Sequence, residues 1–162
     1  MLGSNFTETP SALNSVTQPI VDEYSALQGL RVLIVDDDVD NCDLMASFFT
    51  LVGADVATAV SVAEGLSSFA ARQPQLLLSD IAMPNQDGYA LIQAIRALSP
   101  AQGGQVPAIA LSAYADHATQ QRALAAGFNR HVAKPIDPYE LVEVMVRVLE
   151  AVRASGNPSE AG

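Results

Sequence analysis

The sequence predicts an α/β protein in which helices cover both faces of a parallel sheet. From residue 30 onward, short and nearly continuous apolar runs alternate with longer stretches of helical period. Such runs are typical of parallel strands buried on both faces, because a strand with one wet face alternates apolar and polar residues. Five strand-and-helix units can be counted, and their order along the chain favours βα connections over hairpins.

The first two units occupy residues 30–72. The run LRVLIV at 30–35 predicts the first strand, and residues 39–52 predict a helix that Gly53 ends. The apolar face of this helix is expected to carry Leu44, Met45, Phe48, Phe49 and Val52. DVATA at 55–59 predicts the second strand. SVAE, which starts at Ser61, has capping-box spacing and predicts a second helix to about Arg72.

The third and fourth units follow the same pattern. LLLS at 76–79 predicts the third strand, and the loop DIAMPNQDG leads to a helix over about 89–98. SPAQGGQV is typical of a flexible connection, after which AIALS at 108–112 predicts the fourth strand. YADHATQQRALAAG predicts a fourth helix that is closed by Gly127.

The fifth unit comprises RHVA at 130–133 and a helix over about 138–153, with proline at its first turn. Residues 1–27 are rich in Ser, Thr, Asn and Pro, so we expect a flexible leader that contains at most a short helical turn. Residues 154–162 are small and polar, and we expect them to fray. The predicted organisation is therefore one folded domain over residues 28–153.

Charge and composition exclude several functional classes. Eighteen acidic and eight basic residues give a net charge of −10, which disfavours binding to nucleic acid or to an anionic membrane surface. The single cysteine, Cys42, has no internal disulfide partner, and the first residues lack the basic and apolar regions of a signal peptide. No apolar run approaches the roughly 20 residues that cross a bilayer. We expect a cytoplasmic protein.

Polar side chains stand where the predicted strands end. Asp36 and Asp37 follow the first strand, Asp80 the third, Ser112 ends the fourth and Lys134 follows the fifth. In open parallel sheets, ligands bind beyond the carboxyl ends of the strands. Each of these residues alone is ordinary at a surface. Their arrival at one edge of the sheet indicates a functional site.

Three converging carboxylates repel one another unless a cation neutralises them. Carboxylate oxygens without Cys or His suit Mg²⁺, or Mn²⁺, better than zinc. A carboxylate beside such an ion can act as a nucleophile towards a phosphoryl group, whose oxygens Lys134 and Ser112 would bind. Asp38 and Asp40 begin the first helix, so we interpret them as caps and dipole partners and not as ligands.

Four segments, IVDDD, LLLSDIAMPNQDG, PAIALSAYA and HVAKPID, occur in order and at the expected strand ends. With them the chain resembles the receiver domain of two-component response regulators over about residues 30–150. The resemblance implies a flavodoxin-like, doubly wound sheet of strand order 2-1-3-4-5. It also implies that Asp80 is phosphorylated by transfer from a phosphohistidine on a sensor histidine kinase or a histidine phosphotransfer protein.

The resemblance further assigns roles at the metal site. Asp36 and Asp37 resemble the acidic pair that holds Mg²⁺ in the family. Asp37 and Asp80 are expected to bind the ion directly, and the backbone carbonyl of Ala82 is expected to be a third ligand.

Other positions resemble the switch of the family. Ser112 matches the switch hydroxyl and Lys134 the lysine that contacts the phosphate, and the Lys134-Pro135 bond resembles the family's cis peptide. His131 stands where the family usually has Tyr or Phe. Because imidazole is smaller, polar and titratable near neutral pH, we expect altered coupling between phosphorylation and the surface of strands four and five.

Two positions are expected to control how long the phosphoryl group persists. Ala82 and Tyr114 occupy positions that tune hydrolysis in the family, and neither side chain readily orients a water molecule. Slow self-dephosphorylation is therefore expected.

The mode of output stays open at this stage. The chain resembles either a single-domain regulator or a receiver from a hybrid kinase. Only residues 154–162 follow Arg153, so we expect output through protein contacts or onward phosphotransfer, and not through an appended DNA-binding domain. We expect a monomer or a weak dimer. The alternatives are a Mg²⁺-dependent phosphohydrolase, for which DIAMPN offers no second acid and no cap insertion exists, and a receiver-like binding module that is never phosphorylated.

Overall fold

The computed structural model describes residues 24–155 and contains the predicted alternation of strands and helices. The strands are β1 Arg31–Val35, β2 Asp55–Ala59, β3 Leu76–Asp80, β4 Ala108–Ser112 and β5 Arg130–Ala133. The helices are α1 Val39–Leu51, α2 Val62–Arg72, α3 Gly88–Arg96, α4 His117–Ala126 and α5 Pro138–Ser155. Residues 1–23 and 156–162, which include most of the expected leader and tail, lie outside the described residues.

All the strands pair in parallel in one sheet of order β2-β1-β3-β4-β5, which confirms the predicted fold class and strand order. The pairing aligns the carboxyl ends of neighbouring strands, with Val35 beside Ser79 and Ser112 beside Ala133. The residues that follow these strands therefore meet at one edge of the sheet.

Helices pack on both faces of the sheet, as predicted. Along β1, Val32 and Ile34 point to a core shared with α1 and α5, whereas Leu33 and Val35 point to a core shared with α2, α3 and α4. Successive side chains of a strand face opposite sides, so a strand that is apolar throughout fits only between two layers of helices.

One helix departs from the predicted packing. Leu44 was expected in the core, and this prediction is wrong because its side chain is 59% exposed. Cys42 is buried on that face together with Met45 and Phe49. Helix α1 itself carries apolar side chains on nearly all sides. The spacing of its apolar residues therefore does not single out one buried face. Burial raises the pKa of the Cys42 thiol to about 12, as is typical of an inert packed cysteine.

One connection differs in detail from the expectation, and the short helical turn expected before β1 is present. The segment before β4 contains a 3₁₀ turn, Pro100–Gln102, which the side chains of Ser99 and Gln102 cap reciprocally. Residues 24–27 form a helical turn before β1, and Leu27 is fully buried in the core between the sheet, α1 and α5. Among residues 24–155, no helix combines the length and the apolar character that crossing a membrane requires.

Candidate functional site

The charged side chains predicted to share the edge of the sheet lie together. Asp36, Asp37 and Asp80 each offer a carboxylate oxygen, and these oxygens lie within 4.8 Å of one another. The Lys134 Nζ atom lies 3.0 Å from Asp36 Oδ2 and 3.3 Å from Asp80 Oδ2. Four residues from three different strand ends therefore form one cluster, in which a single ammonium group faces two carboxylates.

Burial differs sharply within this cluster. Asp36 is fully buried and Asp80 is only 4% exposed, whereas Asp37 is exposed. Buried carboxylates are costly unless they are paired and hydrogen-bonded. The exposed Asp37 gives solvent access to one side of the cluster.

Asp36 is satisfied by three donors. Its Oδ1 accepts a hydrogen bond from the Asp38 backbone N–H at 2.9 Å, and its Oδ2 accepts from Asn41 Nδ2 at 2.6 Å and from Lys134. Asp38 also caps α1 by accepting from the Asn41 backbone N–H at 3.2 Å, as predicted. Sequence reasoning missed Asn41. The available signal was a side-chain amide in the first helical turn after a strand that ends in acids.

The pKa values of Asp80 and Lys134 reflect the burial of both groups and the attraction between their opposite charges. Burial raises the pKa of Asp80 to about 6, although the Ala82 N–H bond and the charge of Lys134 lower it. Burial alone lowers the pKa of Lys134, but its bond to Asp36 and the charges of both carboxylates outweigh this effect and raise it. Lys134 is therefore charged, and the Asp80 carboxylate is held at an energetic cost.

The loop between β3 and α3 fixes the orientation of Asp80. The Ala82 backbone N–H donates to Asp80 Oδ1 at 3.1 Å, and the Gly88 N–H donates to the Ile81 carbonyl at 3.1 Å. A Cβ atom at Gly88 would clash with the Asp80 carbonyl oxygen and lie 2.7 Å from Ile81 Cα. Only glycine allows α3 to start this close to the strand end. Asp87 caps α3 by accepting from the Ala90 N–H at 3.0 Å.

Strands β4 and β5 bring the remaining predicted residues to the same edge. Ser112 is buried, and its hydroxyl oxygen accepts from the Tyr114 backbone N–H at 3.0 Å. The Lys134 backbone N–H donates to the Ser112 carbonyl at 2.7 Å. The Lys134-Pro135 bond is cis, as the resemblance implied.

His131 lies on β5 beside Ala110 of β4. Both ring nitrogens are buried, and neither has a hydrogen-bond partner of good geometry among residues 24–155. Burial lowers the pKa of His131, while the Asp116 carboxylate and the backbone of Tyr114 oppose this shift. The environment of the ring therefore favours neutral imidazole.

A cleft of about 530 Å³ adjoins the cluster, and Ala82, Ser112 and Tyr114 are among the residues that line it. Arg122 and Tyr89 also line this cleft, and the guanidinium carbon of Arg122 lies 4.0 Å from the centre of the Tyr89 ring. Movement of the β4–α4 loop would change the shape of this cleft, because Tyr114 of the loop and Ser112 at the end of β4 both line it.

The cluster fits a hard divalent cation. It offers three carboxylate oxygens and no nitrogen or sulfur ligand among the described residues, and this donor set is the one that Mg²⁺ and Mn²⁺ prefer. The exposed side of Asp37 leaves room for the water molecules that Mg²⁺ usually retains.

The sequence of this chain is similar to those of known proteins. The family model of the response regulator receiver domain matches residues 32–146. A Leptolyngbya boryana protein, described as an uncharacterized 14.6 kDa protein in the sodA1 3′ region, is 43% identical over 119 residues, which cover 74% of this chain and 89% of that protein.

Two longer relatives share the same region. The probable transcriptional regulator ycf27 of Cyanophora paradoxa is 33% identical over 129 residues, which cover 80% of this chain and 51% of that protein. Hybrid signal transduction histidine kinase D of Dictyostelium discoideum is 30% identical over 137 residues, which cover 81% of this chain and 9% of the kinase. The chain thus spans about half or less of the length of these two relatives.

Solved structures have the same fold. A CheY-like response regulator receiver domain protein of Methanospirillum hungatei JF-1 matches with a TM-score of 0.71 and 28% identity, over 80% of this chain and all of that one. The chemotaxis response regulator CheY4 of Vibrio cholerae matches with a TM-score of 0.69 and 25% identity, over 75% of this chain and 99% of that one. The chain belongs to the response regulator receiver domain family of two-component systems.

Proposed function

We propose that this chain is a phosphoacceptor of a two-component phosphorelay, with Asp80 as the phosphorylated residue. The observation that carries the proposal is the position of Asp80, which lies in hydrogen-bond reach of Lys134 and beside two further carboxylates. The phosphoryl donor is a phosphohistidine on a sensor histidine kinase or a histidine phosphotransfer protein.

Asp37, Asp80 and the carbonyl of Ala82 would hold one Mg²⁺ or Mn²⁺ ion, with Asp36 completing the acidic pair. When bound, the ion supplies positive charge that neutralises the carboxylates and polarises the phosphoryl oxygens. Support comes from the short separation of the three carboxylates and from the exposure of Asp37.

The transfer itself is a displacement at phosphorus. A carboxylate oxygen of Asp80 forms the new O–P bond while the N–P bond of the phosphohistidine breaks, and the departing imidazole takes up a proton from solvent. Lys134 binds a phosphoryl oxygen through its ammonium group. Ser112 exchanges its bond with the Tyr114 N–H for a bond from its hydroxyl to the phosphoryl group.

Docking of the donor requires a surface next to this edge. Helix α1 begins directly after the acidic pair and exposes apolar side chains, among them Val39, Leu44 and Leu51, the last of which is 84% exposed. Leu44 and Leu51 fall on the same face of this helix, and exposed apolar side chains that group together are typical of a protein-binding surface. We assign α1 to the phosphohistidine partner.

Output runs through the end of β4, the β4–α4 loop and β5, where Ser112, Tyr114 and His131 lie in that order. When Ser112 turns to the phosphoryl group it releases the Tyr114 N–H, and the freed loop reshapes the adjoining cleft. His131 modifies this coupling, so His131→Tyr should change the affinity of phosphorylated protein for its downstream partner. Unchanged affinity would remove His131 from the switch.

Residues 28–153 form the receiver unit of this proposal. One similar protein is named a hybrid signal transduction histidine kinase and another a probable transcriptional regulator, so the names of relatives include both signal transduction and transcriptional regulation. Onward phosphotransfer or protein contact is the proposed output of this chain.

Incubation with acetyl phosphate and, separately, with a phosphomonoester distinguishes the candidate functions. A receiver takes up a phosphoryl group from acetyl phosphate in Mg²⁺ and loses this ability in Asp80→Asn. Turnover of the phosphomonoester would instead identify a phosphohydrolase, and absence of any uptake would identify a binding module.

A further inference from the structure

Asn41 makes the shortest hydrogen bond to the buried acid of the cluster. Its Nδ2 atom lies 2.6 Å from Asp36 Oδ2, closer than the 3.0 Å between that oxygen and Lys134 Nζ. Both donors therefore share one carboxylate oxygen. The other oxygen accepts from the Asp38 N–H.

The helical position of Asn41 does not by itself explain why an asparagine side chain stands there. Asn41 lies in the first turn of α1, where its backbone N–H is already satisfied by the Asp38 cap. Asparagine is a poor helix former because its amide competes with the backbone for hydrogen bonds. Here the amide points away from the helix and binds a carboxylate across the strand end.

The proposed function gives this contact a consequence. Lys134 bridges Asp36 and Asp80 in the present state, and it must turn towards the phosphoryl group when Asp80 is modified. The turn takes charge compensation away from Asp36, which is fully buried. A buried carboxylate that loses a partner is strongly disfavoured unless other donors remain.

We propose that Asn41 is a positioning residue for phosphoryl transfer. Its neutral amide holds Asp36 in place and keeps one donor on Oδ2, so that Lys134 is free to leave that oxygen for the phosphoryl group. The inference rests on the proposed phosphorylation of Asp80, but the contact itself exists in the unphosphorylated protein.

The test compares Asn41→Ala and the isosteric Asn41→Asp with Asp40→Ala, an exposed residue of the same helical turn. We expect Asn41→Ala to lower the rate of Asp80 phosphorylation at saturating acetyl phosphate by about tenfold, the effect of one hydrogen bond to a charged group, without a change in KM. Asn41→Asp loses the donor and adds a negative charge, so its loss is larger. Asp40→Ala keeps the wild-type rate.

A second readout needs neither phosphate nor metal. The carboxyl carbon of Asp36, observed by NMR in metal-free protein, should shift in Asn41→Ala and stay in place in Asp40→Ala. Wild-type rates in Asn41→Ala together with an unmoved Asp36 signal would overturn the proposal. If wild-type protein takes up no phosphate, the proposed function fails, and the Asp36 signal still decides whether Asn41 positions that carboxylate.

Discussion

The ammonium nitrogen of Lys134 lies 3.3 Å from Oδ2 of Asp80, a carboxylate with almost no access to solvent. The same nitrogen lies 3.0 Å from Asp36, so one cation compensates two buried acids. Among residues 24–155, no other ion pair reaches this cluster. Without a metal ion or a phosphoryl group, the two buried carboxylates at this edge of the sheet therefore depend on Lys134 for charge compensation.

Lys134→Met should destabilise the metal-free protein by about 2 kcal/mol or more at pH 8. Breaking a fully buried ion pair costs about 3–5 kcal/mol, and the expected loss is smaller because 22% of the Lys134 side chain is exposed. Urea unfolding in EDTA measures the difference. Arg72→Met is the matched control, because the Arg72–Asp55 pair is exposed on both sides and such pairs contribute about 0–1 kcal/mol. Equal losses in both variants would contradict the account.

Asp80→Asn should stabilise the metal-free protein above pH 6. A pKa of about 6 in the fold, against 3.8 for an ordinary Asp, means that the folded state holds more protons between these values. Ionised Asp80 thus costs up to about 3 kcal/mol at pH 8, and the cost vanishes as pH falls towards 4. We expect the variant to gain about 1–3 kcal/mol at pH 8 and nothing at pH 4.

The measurement for Asp80 is the difference in unfolding free energy between the variant and the wild type across this range. Saturating Mg²⁺ should reduce the difference at pH 8, because the ion compensates the wild-type carboxylate. A variant that is less stable than the wild type at pH 8, in EDTA, would show that the ionised Asp80 carboxylate does not destabilise the folded protein.

His131 should make stability depend on pH in the opposite sense. Its pKa in the fold lies below the ordinary 6.5, so the unfolded chain binds more protons and stability falls as pH drops below 6.5. Asp116 and the Tyr114 backbone lie near the ring and limit this loss. We expect His131→Phe to remove the loss, as measured by urea unfolding between pH 5 and 7.

This comparison is cleanest in an Asp80→Asn background, where the opposing effect of Asp80 is absent. His117→Gln is the control, because His117 is exposed on α4. If the two histidine variants change the pH dependence equally, the buried position of the His131 nitrogens has no energetic consequence.

Most of the fold follows from the sequence, because strands buried on both faces have a distinctive pattern and caps such as Ser61 and Asp87 have local signals. The grouping of Asp36, Asp80 and Lys134 follows from the rule that parallel strands end at one edge. Two details of side-chain placement could not be predicted from the sequence. Leu44 was placed wrongly because α1 is apolar on most sides. The bond of Asn41 depends on side-chain geometry across a strand end, for which no spacing rule exists.

The phosphorylated state should be long-lived. Ala82 carries only a methyl group, and the Tyr114 side chain is 63% exposed, so neither orients a water molecule towards the phosphoryl group. Tyr114→Glu introduces a carboxylate at that place and should shorten the half-life of phospho-Asp80 by roughly tenfold, less than the ~100-fold of a fully aligned general base. Decay of the phosphorylated protein in Mg²⁺ after removal of the donor measures this. Tyr139→Glu, at an exposed position on α5, should leave the half-life unchanged.

The most direct measurement is intact-mass and peptide-mapping mass spectrometry of the protein after incubation with acetyl phosphate. The account predicts one phosphoryl group per chain, located on Asp80, in the presence of Mg²⁺, and none in EDTA or in Asp80→Asn. Modification at another residue, or uptake that proceeds equally without a divalent cation, would contradict it.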